Sequence, residues 1–230
     1  MHLQFLDSTD AFLSHATPSV QTYFDGFTTH DVHARKPYAH SLNAYLGNLV
    51  PSAAGRAKPV ARAIAVAIET ASAAMAGAAL PPALLLQDNT LPWRIALFTP
   101  EVERGWPHTH GEVLCFPMVP ALFADPWRLA ELLVHERIHV LQRMRPQETR
   151  DFIRMRYGLA PFTPRALLPP SRRAALYANP DVDQYVYEHV YEHVYGGDYT
   201  SAQQHPYETM AYEMAAEAIA AQKSSSSFSS

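Results

Sequence analysis

The chain lacks several features that mark secreted, nucleic-acid-binding and membrane proteins. It has 1 cysteine among 230 residues, which excludes an internal disulfide and favours a reducing compartment. Its 18 Lys and Arg residues against 22 Asp and Glu residues give a net charge of −4, and no basic block is longer than Arg172-Arg173. The sequence therefore predicts no basic surface that would follow a phosphate backbone, and we expect no nucleic-acid partner.

No segment has the pattern of a secretory leader or a membrane span. Residues 1–10 contain no cationic region followed by an apolar run. The longest apolar stretch, residues 57–80, is interrupted by charged side chains, which is typical of a helix within a domain. We therefore expect a cytoplasmic protein with no membrane partner. The serine-rich end, residues 223–230, is expected to be disordered.

Hydrophobic residues make up 48% of the chain, which is enough for one domain with a substantial core. The order of predicted elements indicates an α+β fold, with a small sheet packed on a central helix and additional helices towards both ends. We expect an N-terminal helical segment at 1–56, the main unit of the same domain at 57–222, and the tail at 223–230. The main predicted elements are helices at 57–77, 126–144, 147–157 and 206–222, strands at 93–99, 112–116 and 184–195, and an irregular loop at 159–182.

The clearest chemical signal is the stretch His135-Glu136-Arg137-Ile138-His139. Four residues of α-helix advance about 400°, so the two imidazoles point the same way, one turn apart. At that spacing both can reach one Zn²⁺ at about 2.0–2.1 Å. Glu136 lies to one side, where it can act as a general base on a water activated by the metal. The spacing therefore predicts two metal ligands and a catalytic base on one helix.

The residues around this motif support a helix. Asp125 suits an N-cap, Pro126 suits the first helical position, and no Gly or Pro follows until Pro146. Apolar residues lie on the side opposite the histidines, as expected for a helix buried behind a cleft. Arg137 lies near that apolar side and conflicts with it. The alternative is an ordinary amphipathic helix with two histidines on its polar edge.

A catalytic zinc site needs a third protein ligand and leaves one position for water. The best candidate is Glu208, because Pro206 fixes the start of the last helix and places Glu208 in its first turn. From there the carboxylate can project into the cleft. The alternatives that remain open are Glu213, Glu217 and His205, whereas Asp151 does not fit because of its distance to Tyr157-Gly158.

The motif helix resembles that of the zincin metallopeptidases. Gln142 and Arg145 stand where the metzincin pattern requires glycine and histidine, so that subgroup does not fit, and a glutamate ligand is similar to the gluzincin arrangement. Together with Asn179-Pro180-Asp181 and His205-Pro206-Tyr207-Glu208, the motif is also similar to poorly characterised zincin-like proteins, from Gly111 to the last helix. The glutamate helix of gluzincins often reads Asn-Glu-x-x-Ser-Asp, and this chain differs there.

This resemblance implies a zincin-like α+β fold and a peptide or protein substrate. It also implies that His135, His139 and Glu208 hold Zn²⁺, with Glu136 as the general base. The expected function is therefore hydrolysis of peptide bonds by a zinc-dependent metallopeptidase. Two alternatives stay open: a catalytically inactive zincin-like protein that binds zinc or a peptide, and a helical interaction module without a metal.

Two other histidine-containing stretches need an interpretation. His189-Val190-Tyr191-Glu192-His193 has the inverted order of the zinc motif. Its Tyr and Val neighbours favour a strand, on which the two histidines would lie about 13 Å apart, too far to share a metal. His108-Thr109-His110 is expected in a loop before the strand at 112–116. The resemblance to zincins suggests that this strand binds an extended substrate.

Overall fold

The structure, a computed structural model of the chain, describes residues 2–27, 29, 32, 41–78, 80–88, 90–159, 161–164, 179–181, 185–187 and 205–227. Within these residues the fold is α+β, as predicted, with a mixed four-stranded sheet, a separate two-stranded sheet and eight α-helices. The helices are α1 (Thr9–Ala16), α2 (Ser19–Asp25), α3 (Leu42–Leu46), α4 (Ala57–Ala76), α5 (Pro82–Asp88), α6 (Pro126–Met144), α7 (Pro146–Tyr157) and α8 (Pro206–Ser227). The strands are β1 (Leu3–Phe5), β2 (Trp93–Phe98), β3 (His108–His110), β4 (Val113–Pro117), β5 (Pro161–Pro164) and β6 (Tyr185–Tyr187).

The four-stranded sheet has the order β1-β2-β4-β3. β1, β2 and β4 are parallel, and β3 is antiparallel to β4. Ile95 of β2 lies opposite both Phe5 and Leu114, and helices cover both faces of this strand, as is usual for parallel sheets. Both edges of β4 are occupied, by β2 and by β3. The expectation that the strand at 112–116 binds an extended substrate is therefore wrong.

The stretch His108-Thr109-His110 forms strand β3 and not the expected loop. Gly111 has a left-handed backbone with φ of +57°, which allows the tight turn between β3 and β4. A Cβ at this position would lie 2.4 Å from the His15 carbonyl oxygen, so only glycine fits. The histidines of β3 pack on the Tyr45 ring, a tertiary contact that the local sequence does not indicate.

Each face of the sheet has its own hydrophobic core. One core lies between the sheet and α4, α6 and α8, with Leu114 and Phe116 of β4 facing it. The other lies between the sheet and α1, α2 and α3, with Val113 and Cys115 facing it. This alternation is the period of a strand that is buried on both faces. It places the motif helix α6 against one face of the sheet.

Helix α4 matches the helix predicted at 57–77. Ile64, Ile68, Ala71 and Met75 are buried in the core that α4 shares with α6 and α8, while Val66 on the outer side is 66% exposed. By length and composition alone α4 would also suit a membrane span, with a mean hydropathy of 1.3. Its buried stripe is instead that of a helix packed against other helices.

Helix α6 begins where the sequence predicts. The Asp125 side chain accepts hydrogen bonds from the Trp127 amide at 2.8 Å and from the Arg128 amide at 3.3 Å. Pro126 occupies the first helical position, where its missing N–H costs nothing. The N-cap and the proline together fix the start of the helix that carries the motif.

The buried side of α6 includes Arg137, which is 1% exposed. Its Nε donates to Asp88 Oδ1 at 2.5 Å, and its terminal nitrogens donate to the carbonyls of Asp88, Leu91 and Pro92 at 2.8–3.1 Å. The guanidinium also lies 4.8 Å from the centroid of the Trp93 ring. The conflict seen in the sequence is thus resolved, because every nitrogen of this buried charge is bonded to the segment from Asp88, the last residue of α5, to Pro92.

Helix α8 begins at Pro206, as predicted, and continues to Ser227. Residues 223–227 therefore belong to a helix and not to the expected disordered tail. Lys223 lies 5.3 Å from the centroid of the Trp127 ring of α6, a contact that favours helix over disorder at this end. Three serine hydroxyls also donate to carbonyls of the preceding turn at 2.8–3.0 Å: Ser224, Ser225 and Ser226.

The strand predicted at 184–195 is described only as β6, which pairs antiparallel with β5. Strand β5 lies inside the segment expected to be an irregular loop, residues 159–182. The remainder of the predicted strand, including the inverted motif at 189–193, lies outside the described residues.

Candidate metal centre

Helix α6 directs His135 and His139 towards α8. Their Nε2 atoms are 3.0 Å apart, and the residues are 6% and 0% exposed. The four-residue spacing places the rings one turn apart on one side of the helix. Both are buried because α6 packs between the sheet, α4 and α8. The two imidazoles therefore converge on one point.

Glu208, in the first turn of α8, completes a cluster with these histidines. Its Oε2 lies 3.4 Å from His135 Nε2 and 3.5 Å from His139 Nε2. In tetrahedral coordination with bonds of about 2.0–2.1 Å, neighbouring ligand atoms are about 3.3 Å apart. The three atoms therefore have the mutual spacing of three ligands of one tetrahedral ion. The three side chains form a buried cluster that could bind a metal ion.

The charges in this cluster suit a cation. Burial by itself would raise the pKa of Glu208, but the two histidines hold that pKa well below its ordinary value, so the carboxylate stays ionised. Burial lowers the pKa of His135 and favours its neutral imidazole. Burial also opposes protonation of His139, but the adjacent Glu208 raises the pKa of that imidazole. An anionic oxygen and a neutral imidazole are the forms in which these groups bind metals, so Glu208 and His135 already favour the binding form, whereas a protonated His139 would release its proton to the solvent when an ion binds.

Gln142, one turn after His139 on α6, fixes the orientation of that imidazole. Gln142 Nε2 donates to the Tyr207 carbonyl at 3.0 Å. Its Oε1 is therefore the atom that lies 2.8 Å from His139 Nδ1 and accepts a hydrogen bond from it. A proton on Nδ1 leaves the lone pair of Nε2 for a metal. In the sequence analysis, Gln142 was used only to exclude the metzincin pattern. Its contact with His139 could not be predicted, because the group that orients Gln142 lies on the distant helix α8.

Asn179 and Asp181 connect the cluster to the edge of the sheet. Asn179 Nδ2 donates to Glu208 Oε1 at 3.1 Å, and Asn179 Oδ1 accepts from the Asp181 amide at 2.8 Å. Asp181 Oδ1 accepts from the amide of Thr109 at 2.6 Å and from its hydroxyl at 2.8 Å. All four residues are buried. Two members of the Asn-Pro-Asp stretch, which the sequence offered only as part of a resemblance, thus belong to the surroundings of the cluster.

Arg143 of α6 occupies the same edge of β3. Its Nη1 donates to Thr109 Oγ1 at 2.9 Å, and its Nη2 lies 3.5 Å from the Thr109 carbonyl oxygen and 3.4 Å from the Pro180 carbonyl oxygen. Because the Thr109 amide donates to Asp181 and not to β4, these backbone groups point away from the sheet. An extended peptide could pair with β3 here only by displacing Asp181 and Arg143.

Glu136 is buried next to the cluster, with 3% exposure. Burial raises the pKa of its carboxyl, and the negative charges of Asp181 and Glu208 raise that pKa further. Its Oε2 has no hydrogen-bond partner among the residues that the structure describes. A buried carboxyl with an unbonded oxygen beside a cluster that could bind a metal is suited to accept and return a proton.

The other candidates for a third ligand have different partners. His205 caps α8, because its Nδ1 accepts a hydrogen bond from an amide of the first turn at 3.2 Å. Glu213 accepts a hydrogen bond from the Tyr157 hydroxyl at 2.8 Å, and Glu217 is exposed. Asp151 lies on α7 and bonds a side chain of the same helix at 3.1 Å. None of them belongs to the cluster.

The histidines of β3 face the opposite side of the sheet. His108 Nδ1 lies 3.1 Å from the Trp106 carbonyl, to which it donates, so its Nε2 accepts the Tyr45 hydroxyl at 2.8 Å. His110 is equally buried and packs edge-to-face on the Tyr45 ring. Strand β3 therefore turns Thr109, and not its histidines, towards the side of the sheet on which His135, His139 and Glu208 lie.

A pocket of about 420 Å³ lies between the start of α4 and the loops that follow β2 and β4. Val60, Met118 and Phe123 are among its mostly apolar lining residues. It contains none of the cluster residues, so it is a separate feature of the fold.

Comparison of the chain with protein families, with curated proteins and with solved structures gives no match. What the cluster does is therefore inferred from its own geometry and chemistry.

Proposed function

We propose that this protein is a zinc-dependent metallopeptidase of the zincin type, gluzincin-like in its ligand set, that hydrolyses peptide bonds in peptide or protein substrates. The observation that carries the proposal is the triangle of His135 Nε2, His139 Nε2 and Glu208 Oε2, with edges of 3.0, 3.4 and 3.5 Å. The buried carboxyl of Glu136 beside this triangle supports a hydrolytic role.

Zinc is the ion that this set of atoms favours. Two imidazole nitrogens and one carboxylate oxygen at tetrahedral spacing are a known ligand set of catalytic zinc, which leaves a fourth position for water or substrate. Calcium and magnesium prefer shells made of oxygen atoms. In the triangle, two of the three ligand atoms are nitrogens, which disfavours both of those ions.

The chain's own residues can perform the proton transfers of peptide hydrolysis. A zinc ion bound here would lower the pKa of a coordinated water towards about 7 and polarise the scissile carbonyl. Glu136 takes a proton from the attacking water and passes it to the leaving amine. Its raised pKa suits a group that must first accept and then donate a proton. Gln142 meanwhile keeps the His139 imidazole in the tautomer that a metal requires.

A second function is that of a zincin-like protein that binds zinc or a peptide without turnover. One observation favours it: the outward backbone groups of Thr109 are occupied by Asp181 and Arg143. Turnover of an extended substrate along β3 requires displacement of these contacts, whereas a non-catalytic role does not. Against this function, a structural zinc normally has four protein ligands, and the cluster in the described residues has three.

The experiment that tests the proposal replaces Glu136 with Gln in the zinc-loaded protein. Glutamine keeps the shape of the side chain but cannot accept the proton. We expect unchanged zinc content and a fall in peptide hydrolysis of about 10²–10⁴-fold, measured by mass spectrometry on a mixture of peptides. The matched control is Glu131→Gln on the same helix, where the side chain pairs with Arg128 at 3.0 Å, and it should keep full activity.

The outcomes separate the two functions. Full activity of the Glu136→Gln protein would refute the assignment of the base. A wild-type chain that binds zinc but cleaves no peptide would favour the second function.

A further inference from the structure

The two carboxylate oxygens of Glu208 have different partners. Oε2 faces both histidines, at 3.4 and 3.5 Å, whereas Oε1 accepts a hydrogen bond from Asn179 Nδ2 at 3.1 Å. A hydrogen bond to the oxygen that faces away from a metal fixes the direction of the other oxygen. The contact therefore selects which oxygen of Glu208 is presented to an ion.

Asn179 is itself held in place, so it can act as a rigid support. Its Oδ1 accepts a hydrogen bond from the Asp181 amide at 2.8 Å, which requires that the NH₂ end of the side chain faces Glu208. Asp181 is bonded to the amide and the hydroxyl of Thr109 on β3. Asn179 is 4% exposed and lies 29 positions before Glu208 in the chain. A continuous series of hydrogen bonds thus runs from the edge of the sheet to the carboxylate on α8.

We propose that Asn179 is a positioning residue of the metal centre, which holds Glu208 as a ligand through one oxygen, and that Asp181 fixes Asn179 against strand β3. Asn179 touches neither a substrate nor the reacting atoms in this role. The inference rests on the metal site of the proposed function, but it does not depend on peptide hydrolysis.

The test is Asn179→Leu in the full chain, which keeps a similar side-chain size and removes the hydrogen bonds to Glu208 and from the Asp181 amide. Zinc affinity is measured by competition with a chromophoric chelator, and we expect it to fall about 10–100-fold. We also expect a changed visible spectrum of the Co²⁺-substituted protein, because that spectrum reports the geometry of the ligands. A purely structural role for Asn179 would leave the spectrum of the folded variant unchanged.

The matched control is Asn48→Leu, at an asparagine after α3 that is outside the cluster. Asn48 donates to the Ala44 carbonyl at 2.7 Å and accepts from the Thr99 hydroxyl at 2.7 Å. Its replacement therefore also removes one donated and one accepted side-chain hydrogen bond. Zinc affinity and the Co²⁺ spectrum of this control should equal those of the wild type.

Equal zinc affinity and equal Co²⁺ spectra in Asn179→Leu and the wild type would overturn the inference. If the variant does not fold, a crystal structure of the zinc-loaded wild type decides. Zinc bound to Oε2 alone, with the Asn179 amide donating to Oε1, would support the inference. Zinc bound to both oxygens, or an Asn179 amide that does not contact Oε1, would overturn it.

A chain that binds zinc but cleaves no peptide would refute the peptidase function and would leave this test intact. A wild-type chain that binds no zinc overturns both.

Discussion

Arg137 lies within the motif and offers a direct test of how the motif helix is held in the core. Replacing it with Met keeps much of the side-chain volume but removes four hydrogen bonds, one to Asp88 Oδ1 and three to backbone carbonyls. The Asp88 carboxylate, with its side chain 14% exposed, then loses its partner. Removing one member of a buried ion pair costs about 3–5 kcal/mol, and we expect the free energy of unfolding to fall by that amount.

Asp88→Asn should be milder than Arg137→Met. The amide oxygen of asparagine can still accept from Arg137 Nε, and the three bonds to carbonyls remain. The buried guanidinium then lacks its counter-charge but keeps its hydrogen bonds, and we expect a cost at the lower end of that range, about 3 kcal/mol. Arg137→Met should lower the free energy of unfolding more than Asp88→Asn, because only the arginine replacement leaves the three carbonyl oxygens without donors.

The assay is urea unfolding followed by circular dichroism, with a chelator present so that metal binding does not contribute. Arg128→Met on the same helix is the control, because its pair with Glu131 is at the surface, with the arginine side chain 52% exposed. Exposed pairs contribute less than about 1 kcal/mol. A loss below about 1 kcal/mol for Arg137→Met would show that the hydrogen bonds of the guanidinium do not hold α6 in place.

Two further predictions concern Gln142 and Cys115. Gln142→Leu removes the acceptor of His139 Nδ1, so zinc affinity measured by calorimetric titration should fall about 10–100-fold, and an unchanged affinity would contradict the role given to Gln142. Burial raises the pKa of the Cys115 thiol, so a thiol reagent at pH 8 should modify the folded protein far more slowly than the urea-unfolded protein; equal rates would show that the second core is open to solvent.

The helices that bring the three side chains of the cluster together were predicted correctly, and they have local causes. The N-cap at Asp125 and the proline at 126 define the start of α6 within a few residues, and the helical period alone brings His135 and His139 together. Proline at 206 likewise starts α8 and places Glu208 in its first turn. These features depend on neighbours in sequence, which is why pattern and spacing were sufficient to predict them.

The parts that were missed depend on contacts between distant segments. Strand β1 has three residues and exists through its pairing with β2, and β3 depends on pairing with β4 and on aromatic packing. The hydrogen bond from Thr109 to Asp181, which continues to Asn179, joins residues 72 positions apart. The continuation of α8 through its serines is supported by a contact of Lys223 with α6. No local pattern reports such contacts.

The metal content of the purified chain tests the central claim most directly. We expect the wild type to bind one zinc ion per chain, measured by mass spectrometry of the metal after dialysis against trace zinc. Glu208→Ala should lose this ion, while Glu213→Ala on the same helix, whose partner is Tyr157, should keep it. Zinc retained at full stoichiometry by the folded Glu208→Ala protein, or no zinc in the wild type, would contradict the account.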